Sequence, residues 1–207
     1  PRSTLSSSSA ASDVYKRQDL DGVLIDSLPN MKLSWDAVRL THNIETPFES
    51  YKKHIGKPFV QIMDALGVSR DVQTTYEETS EQNLDMIDLY DGVFNTLTDL
   101  KQNYKIAICT SKSERRTDLL LERLPEFDFV CPPTMGLRGK PAPDQLLYTM
   151  AFCNTEPSET VYIGDMQTDY ECAKRAGVDF IHAKYGYGEV ECEVSLESIT
   201  NLNLLLD

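Results

Sequence analysis

Between residues 91 and 183, short apolar runs alternate with stretches of helical periodicity, and this alternation restricts the chain to very few architectures. The runs 105–110 (Lys-Ile-Ala-Ile-Cys-Thr), 127–131, 160–164 and 180–182 read as strands. Helices are predicted over 93–103, 113–124, 141–153 and 168–176, the last ended by Gly177. Strands separated by helices of that length require crossover connections, and therefore a parallel sheet. The expected fold class is α/β: a Rossmann-like parallel sheet with helices on both faces. Ligands of such sheets bind beyond the carboxyl ends of the strands, so the residues at those ends are the ones to read for chemistry.

Upstream stands Asp19-Leu20-Asp21-Gly22-Val23-Leu24-Ile25-Asp26-Ser27. At the end of a strand, residues i and i+2 point to the same side, which brings the carboxylates of Asp19 and Asp21 together. Two such acids repel unless a cation or a shared proton relieves them. The other strand ends supply Thr110 and Ser111, then Gly139-Lys140-Pro141-Ala142-Pro143 ahead of a helix, then Gly164-Asp165-Met166-Gln167-Thr168-Asp169. Asp19, Asp21, Asp165 and Asp169 form an oxygen-rich set suited to Mg²⁺ rather than to a soft metal. Thr110 and the amide of Ser111 can donate to phosphate oxygens, and Lys140 can neutralise a phosphoryl group and the crowded acids. A carboxylate beside Mg²⁺ and an electrophilic phosphorus can form an aspartyl-phosphate. Taken singly, these pieces are also explained by an Asp-rich turn, a strand-end threonine, a surface lysine and an N-capped helix. Their occurrence in one order at successive strand ends points to a shared site.

The remainder of the chain bounds partners and domains. A net charge of −13 disfavours nucleic acid and anionic membranes, and no apolar run approaches a bilayer span. Five cysteines without a CxxC pair fit a reducing cytoplasm. Residues 1–12 are Ser-rich and are expected to be a disordered or non-native tail. Residues 14–18, Val-Tyr-Lys-Arg-Gln, stand where a buried apolar strand is wanted. This suggests foreign sequence up to residue 18, and burying Lys16 or Arg17 unpaired would cost several kcal/mol. From 28 to 90 the pattern is helical throughout. Met31, Trp35, Val38 and Leu40 make one apolar face; Phe59, Ile62, Met63 and Leu66 make another, ended by Gly67. Ser69 is placed to cap a long polar helix running to about Leu89. The expected division is a core of 13–27 and 91–207, with residues 28–90 as an all-helical insert.

The segments DLDGVLIDS, ICTSK, GKPAPD and GDMQTD resemble the four motifs of the haloacid dehalogenase superfamily, over roughly residues 19–190. The insert is placed like that family's helical cap. Tyr185-Gly186-Tyr187-Gly188 resembles a segment of its phosphoglycolate-phosphatase-like members, and β-phosphoglucomutase-like members are similar too. The resemblance implies a Mg²⁺-dependent phosphatase for a small phosphorylated metabolite, in a monomer or weak homodimer. It assigns Asp19 as nucleophile and Asp21 as the acid that protonates the leaving oxygen and then activates water. Thr110 and Lys140 would hold the phosphoryl oxygens. Asp19, the Asp21 carbonyl and Asp165 would bind Mg²⁺, with Asp169 in support. In the cap, Lys57 of His54-Ile55-Gly56-Lys57-Pro58 is a candidate for meeting a second charge on the substrate. A sugar phosphomutase is the alternative within the family. A receiver-like phosphoacceptor domain is the alternative from another class, although the insert and GDMQTD fit it poorly.

Overall fold

A computed structural model of the chain describes residues 15–133 and 136–206, the side chains of 15–18 and 206 aside. The expectations for residues 1–14 and for the side chains of Lys16 and Arg17 lie outside the described residues. The chain passes through β1 (Tyr15–Gln18) and β2 (Ile25–Asp26) into α1 (Leu28–His42), α2 (Phe48–Lys52), α3 (Phe59–Leu66) and α4 (Gln73–Gln82), and returns in β3 (Asp88–Leu89). Helices and strands then alternate: α5 (Val93–Leu100), β4 (Lys105–Cys109), α6 (Glu114–Leu121), β5 (Phe129–Cys131), α7 (Asp144–Cys153), β6 (Thr160–Gly164), α8 (Gln167–Ala176) and β7 (Asp179–Ala183). The described chain closes with β8 (Ser195–Leu196) and α9 (Leu202–Leu206), neither of which the sequence pattern announced.

Six strands form one parallel sheet in the order β5-β4-β1-β6-β7-β8. The chain leaves β1 toward β5 on one side and resumes with β6 on the other. The reversal of direction therefore falls at β1, flanked by β4 and β6, where open α/β sheets have their ligand crevice. Alternation along the strands sets the two layers. Ile106, Ile108, Val161 and Ile163 share one apolar cluster with Val93, Leu97 and Leu100 of α5 and Leu120 of α6. Cys109 and Tyr162 face the other side, against Leu146 and Met150 of α7 and Cys172 and Ala173 of α8. Every residue of β6 is buried, because both faces are covered.

The helices between β2 and β3 have a cluster of their own. Met31, Trp35 and Val38 of α1 pack with Phe48, Tyr51, Ile62, Met63 and Tyr76, and the Trp35 indole N–H donates to the Thr46 carbonyl at 3.0 Å. Leu40, expected on the same face, is 86% exposed; two residues beyond Val38, it has rotated about 200° away from the stripe. The long helix expected to run to Leu89 ends at Gln82 instead. Val72 and Tyr76 belong to the insert cluster, whereas Ile87, with Leu84 packed against it, joins the cluster under the sheet. One straight helix cannot serve both, so the chain breaks at Asn83. Asp88–Leu89 then pairs antiparallel with Ile25–Asp26, a strand within a stretch read as helical.

Candidate active site

Three loops leave the carboxyl ends of β1, β4 and β6 side by side. Asp19 directly follows β1; its amide still donates to the Ile163 carbonyl of β6 at 2.9 Å, and the residue is only 4% exposed. Asp165 follows β6, and Asp169 lies in the first turn of α8, where its carboxylate accepts the Met166 amide at 3.0 Å. Carboxylate oxygens of Asp19, Asp165 and Asp169 lie within 4.8 Å of one another, all three residues being buried. Gly22, at φ 76°, is what lets the first loop pass so close: a Cβ there would stand 2.1 Å from Asp165 Oδ2.

Lys140 Nζ sits between two of these acids, 2.8 Å from Asp19 Oδ1 and 2.8 Å from Asp169 Oδ1. Burial works against its charge, but Asp169 and Asp19 outweigh burial and hold its pKa above the ordinary lysine value. Burial lifts the Asp19 pKa to about 7, with Lys140 pulling it back and Asp169 and Asp21 pushing it up. Burial, Asp169 and Asp19 likewise raise Asp165 well above the carboxylate range. Asp165 Oδ2 accepts the Tyr187 amide at 2.8 Å, while Oδ1 is buried with no hydrogen-bond partner among the described residues. An orphaned carboxylate oxygen, in a cluster of buried acids carrying one lysine, is a donor set that fits a hard divalent cation.

The Asp21 carboxylate is not part of this triad. It pairs with Lys112 Nζ at 3.0 Å and accepts the Ser27 hydroxyl, so the expectation of Asp21 at the metal can concern only its main-chain carbonyl. Lys112 is itself buried: burial, then the Arg116 charge, depress its pKa to about 8, with Asp21 partly offsetting them. Tyr187 ties the arrangement together. Its amide holds Asp165, and its hydroxyl accepts the Ser27 amide at 2.7 Å and donates to the Ile25 carbonyl at 3.2 Å.

Above the triad lies a cavity of about 60 Å³ walled by Asp19, Asp21, Asp165, Lys57, Lys112 and Arg116 among others. Lys57 thus reaches the cavity, as does Ser111, whose hydroxyl donates to the Gly56 carbonyl of the insert at 2.8 Å. Thr110 and Lys140 do not line it. Thr110 is fully buried, its Oγ1 accepting the Lys112 amide at 3.1 Å. Sequence reasoning missed Lys112, Arg116 and Ser27 as functional side chains. Lys112 ended a quoted motif and Ser27 ended another, whereas Arg116, a cation early in a helix, carried no signal that separates it from a solvated one.

Comparison with known proteins bears on what this arrangement does. The pattern of the haloacid dehalogenase-like hydrolases matches residues 18–183. A phosphoglycolate phosphatase of Pseudomonas putida is 29% identical over 210 residues, covering 91% of this chain and 76% of that protein. Phosphoglycolate phosphatase 1 of Pseudomonas aeruginosa is 30% identical over 186 residues, covering 82% and 68%. The crystal structure of a hydrolase from Pseudomonas syringae superposes with a TM-score of 0.83 at 22% identity, over 93% of this chain and 97% of that one, and shows the same fold. The chain belongs to the haloacid dehalogenase-like hydrolase family. Within it, the chain is a phosphatase acting on small phosphoesters.

Proposed function

We propose that the chain is a Mg²⁺-dependent phosphatase that hydrolyses a small phosphomonoester through an aspartyl-phosphate on Asp19. The observation that carries this reading is the buried Asp19–Asp165–Asp169 triad with Lys140 wedged into it. Asp19, Asp165 and Asp169, with the main-chain carbonyl of Asp21, would hold the ion. When bound, Mg²⁺ neutralises the buried acids and draws charge from the phosphoryl oxygens.

In the first half-reaction an Asp19 carboxylate oxygen attacks phosphorus as the bond to the leaving oxygen breaks. Asp21 gives that oxygen its proton. Asp21, now ionised, takes a proton from water as the water attacks phosphorus, which frees Asp19 and inorganic phosphate. Lys112 and Ser27 hold the Asp21 carboxylate in place for both transfers. Lys140 favours the ionised form of Asp19 against burial and compensates Asp169. Ser111 borders the phosphoryl group on the β4 side, and Thr110, buried behind it, holds the Lys112 amide.

The helices from 28 to 90 act as a cap that excludes water and selects the leaving group; their own hydrophobic cluster supports this. Five free thiols, four of them buried, support a reducing, cytoplasmic setting. Phosphoglycolate is the first substrate to test, and the relatives named phosphoglycolate phosphatase support that choice. The test is phosphate release from a panel of small phosphomonoesters, with and without Mg²⁺. Release is expected to need both Mg²⁺ and Asp19. Release that survives Asp19→Asn would refute the reading, and a sugar bisphosphate requirement without net release would favour a mutase.

A further inference from the structure

Among the described residues, Arg116 is the one buried cation facing this cavity that has no carboxylate partner. It is 7% exposed and projects from α6 of the sheet domain toward the cap helices. Its Nη2 donates to the neutral Ser80 hydroxyl at 2.8 Å, and its guanidinium lies 5.3 Å from the centre of the Tyr76 ring. Nε has no partner, and no carboxylate of the described residues lies within ion-pair distance of it. Its neighbours in the wall differ: Lys112 is matched by Asp21, and Lys140 behind the wall by Asp19 and Asp169. A buried guanidinium held by neutral groups, the Ser80 hydroxyl and Tyr76, is costly unless an anion completes it.

We infer that Arg116 is a specificity-determining residue that recognises a carboxylate on the leaving group, making the preferred substrates short phosphomonoesters of hydroxy acids. The inference rests on the phosphatase reading above and adds which group on the leaving alcohol is read, and by what. The cavity joins Arg116 to Asp19 directly, since both wall it. A phosphoryl group on Asp19 therefore shares this cavity with Arg116. The cavity, of about 60 Å³, takes a handful of water-sized groups, enough for a carboxylate on a short stem. A planar guanidinium suits a carboxylate through paired hydrogen bonds, which a lysine in its place would not reproduce. Lys57, on the facing cap loop, lines the same space and adds charge of the same sign.

The test compares phosphoglycolate with ethyl phosphate, which has a leaving group of similar length and no carboxylate. Wild-type enzyme is expected to prefer phosphoglycolate. Arg116→Met should lower kcat/KM for phosphoglycolate about 10²-fold and for ethyl phosphate by no more than about threefold, mostly through KM. Arg116→Lys should recover part of the loss, the charge without the fork. A preference unmoved by Arg116→Met, or an equal loss on both esters, overturns the role of Arg116 while leaving the phosphatase standing. Folded wild-type protein that hydrolyses neither ester overturns both.

Discussion

Beneath the cavity and outside its lining, Lys140 has two carboxylate partners at 2.8 Å, whereas in the wall Arg116 has none among the described residues. The two cations are buried to a similar degree, so the difference lies in what each is buried with. The floor is made by residues at the ends of parallel strands, fixed by ladders on both sides, and its one cation is matched within the protein while its surplus of acids fits a metal ion. The wall joins α6 to helices packed around a separate hydrophobic cluster, and its charge awaits something from outside. Chemistry common to many phosphoesters can be built into a rigid floor whose lysine is already paired. Choice among them requires a group whose partner is the substrate.

The largest effect that would break this contrast is at Lys140. Lys140→Met removes the only cation between Asp19 and Asp169 and strands two buried acids, which should cost about 3–5 kcal/mol of stability near neutral pH and nearly all activity. The stability loss should shrink toward pH 5, because protonated acids no longer need the lysine. Melting temperatures of parent and variant at the two pH values check both the size and the direction.

Metal should come next. Burial raises Asp19 to about 7 and holds Asp165 well above the ordinary carboxylate range, both above their unfolded values. In metal-free protein the folded state then holds more protons than the unfolded state from about pH 4 to pH 7. Stability contributed by these acids is present below that window and is lost as pH rises through it. Mg²⁺ replaces those protons, so it should raise the melting temperature more at pH 8 than at pH 5, by about 3 kcal/mol of stability at a hundredfold excess over its Kd. An equal gain at both pH values would remove the acids from the account.

The smallest effect concerns the seam between floor and wall. Gly139, next to Lys140, lies against the cap loop, and a Cβ there would stand 2.2 Å from Pro58 Cγ. Gly139→Ala should push the cap away and lower kcat/KM about tenfold, with little change in melting temperature. Normal turnover in that variant would mean that the contact is incidental.

How much of this was readable beforehand follows from where each residue sits. Lys140, Asp165 and Asp169 were legible because they follow an apolar run or stand at the start of a helix, whereas Asp19 was legible from the Asp-Leu-Asp-Gly spacing that follows it. Strand β1 was not legible from its own residues. Tyr-Lys-Arg-Gln has no apolar pattern, and its place is set by pairing with β4 on one side and β6 on the other. The end of α4 was hidden for a related reason. Leu84 and Ile87 continue a helical spacing, but they bury under the sheet rather than in the cap. Asp21 was correctly placed beside Asp19 in sequence, yet Lys112, two residues past Thr110, draws its carboxylate away from the triad. Arg116 had no local signature at all. Its meaning comes from Ser80 and Tyr76, which are distant in the chain.

The central claim is that Asp19 becomes phosphorylated, and it can be tested by trapping. Asp21→Asn should slow the water attack, while an ester with a good leaving group needs no proton from Asp21 to load the enzyme. Rapid acid quenching of that variant with Mg²⁺ and such an ester, followed by peptide mass analysis, should find one phosphoryl group on the peptide containing Asp19 and none when Asp19 is also changed to Asn. Phosphate release by the parent with no phosphoryl group ever recovered on Asp19 would contradict the account.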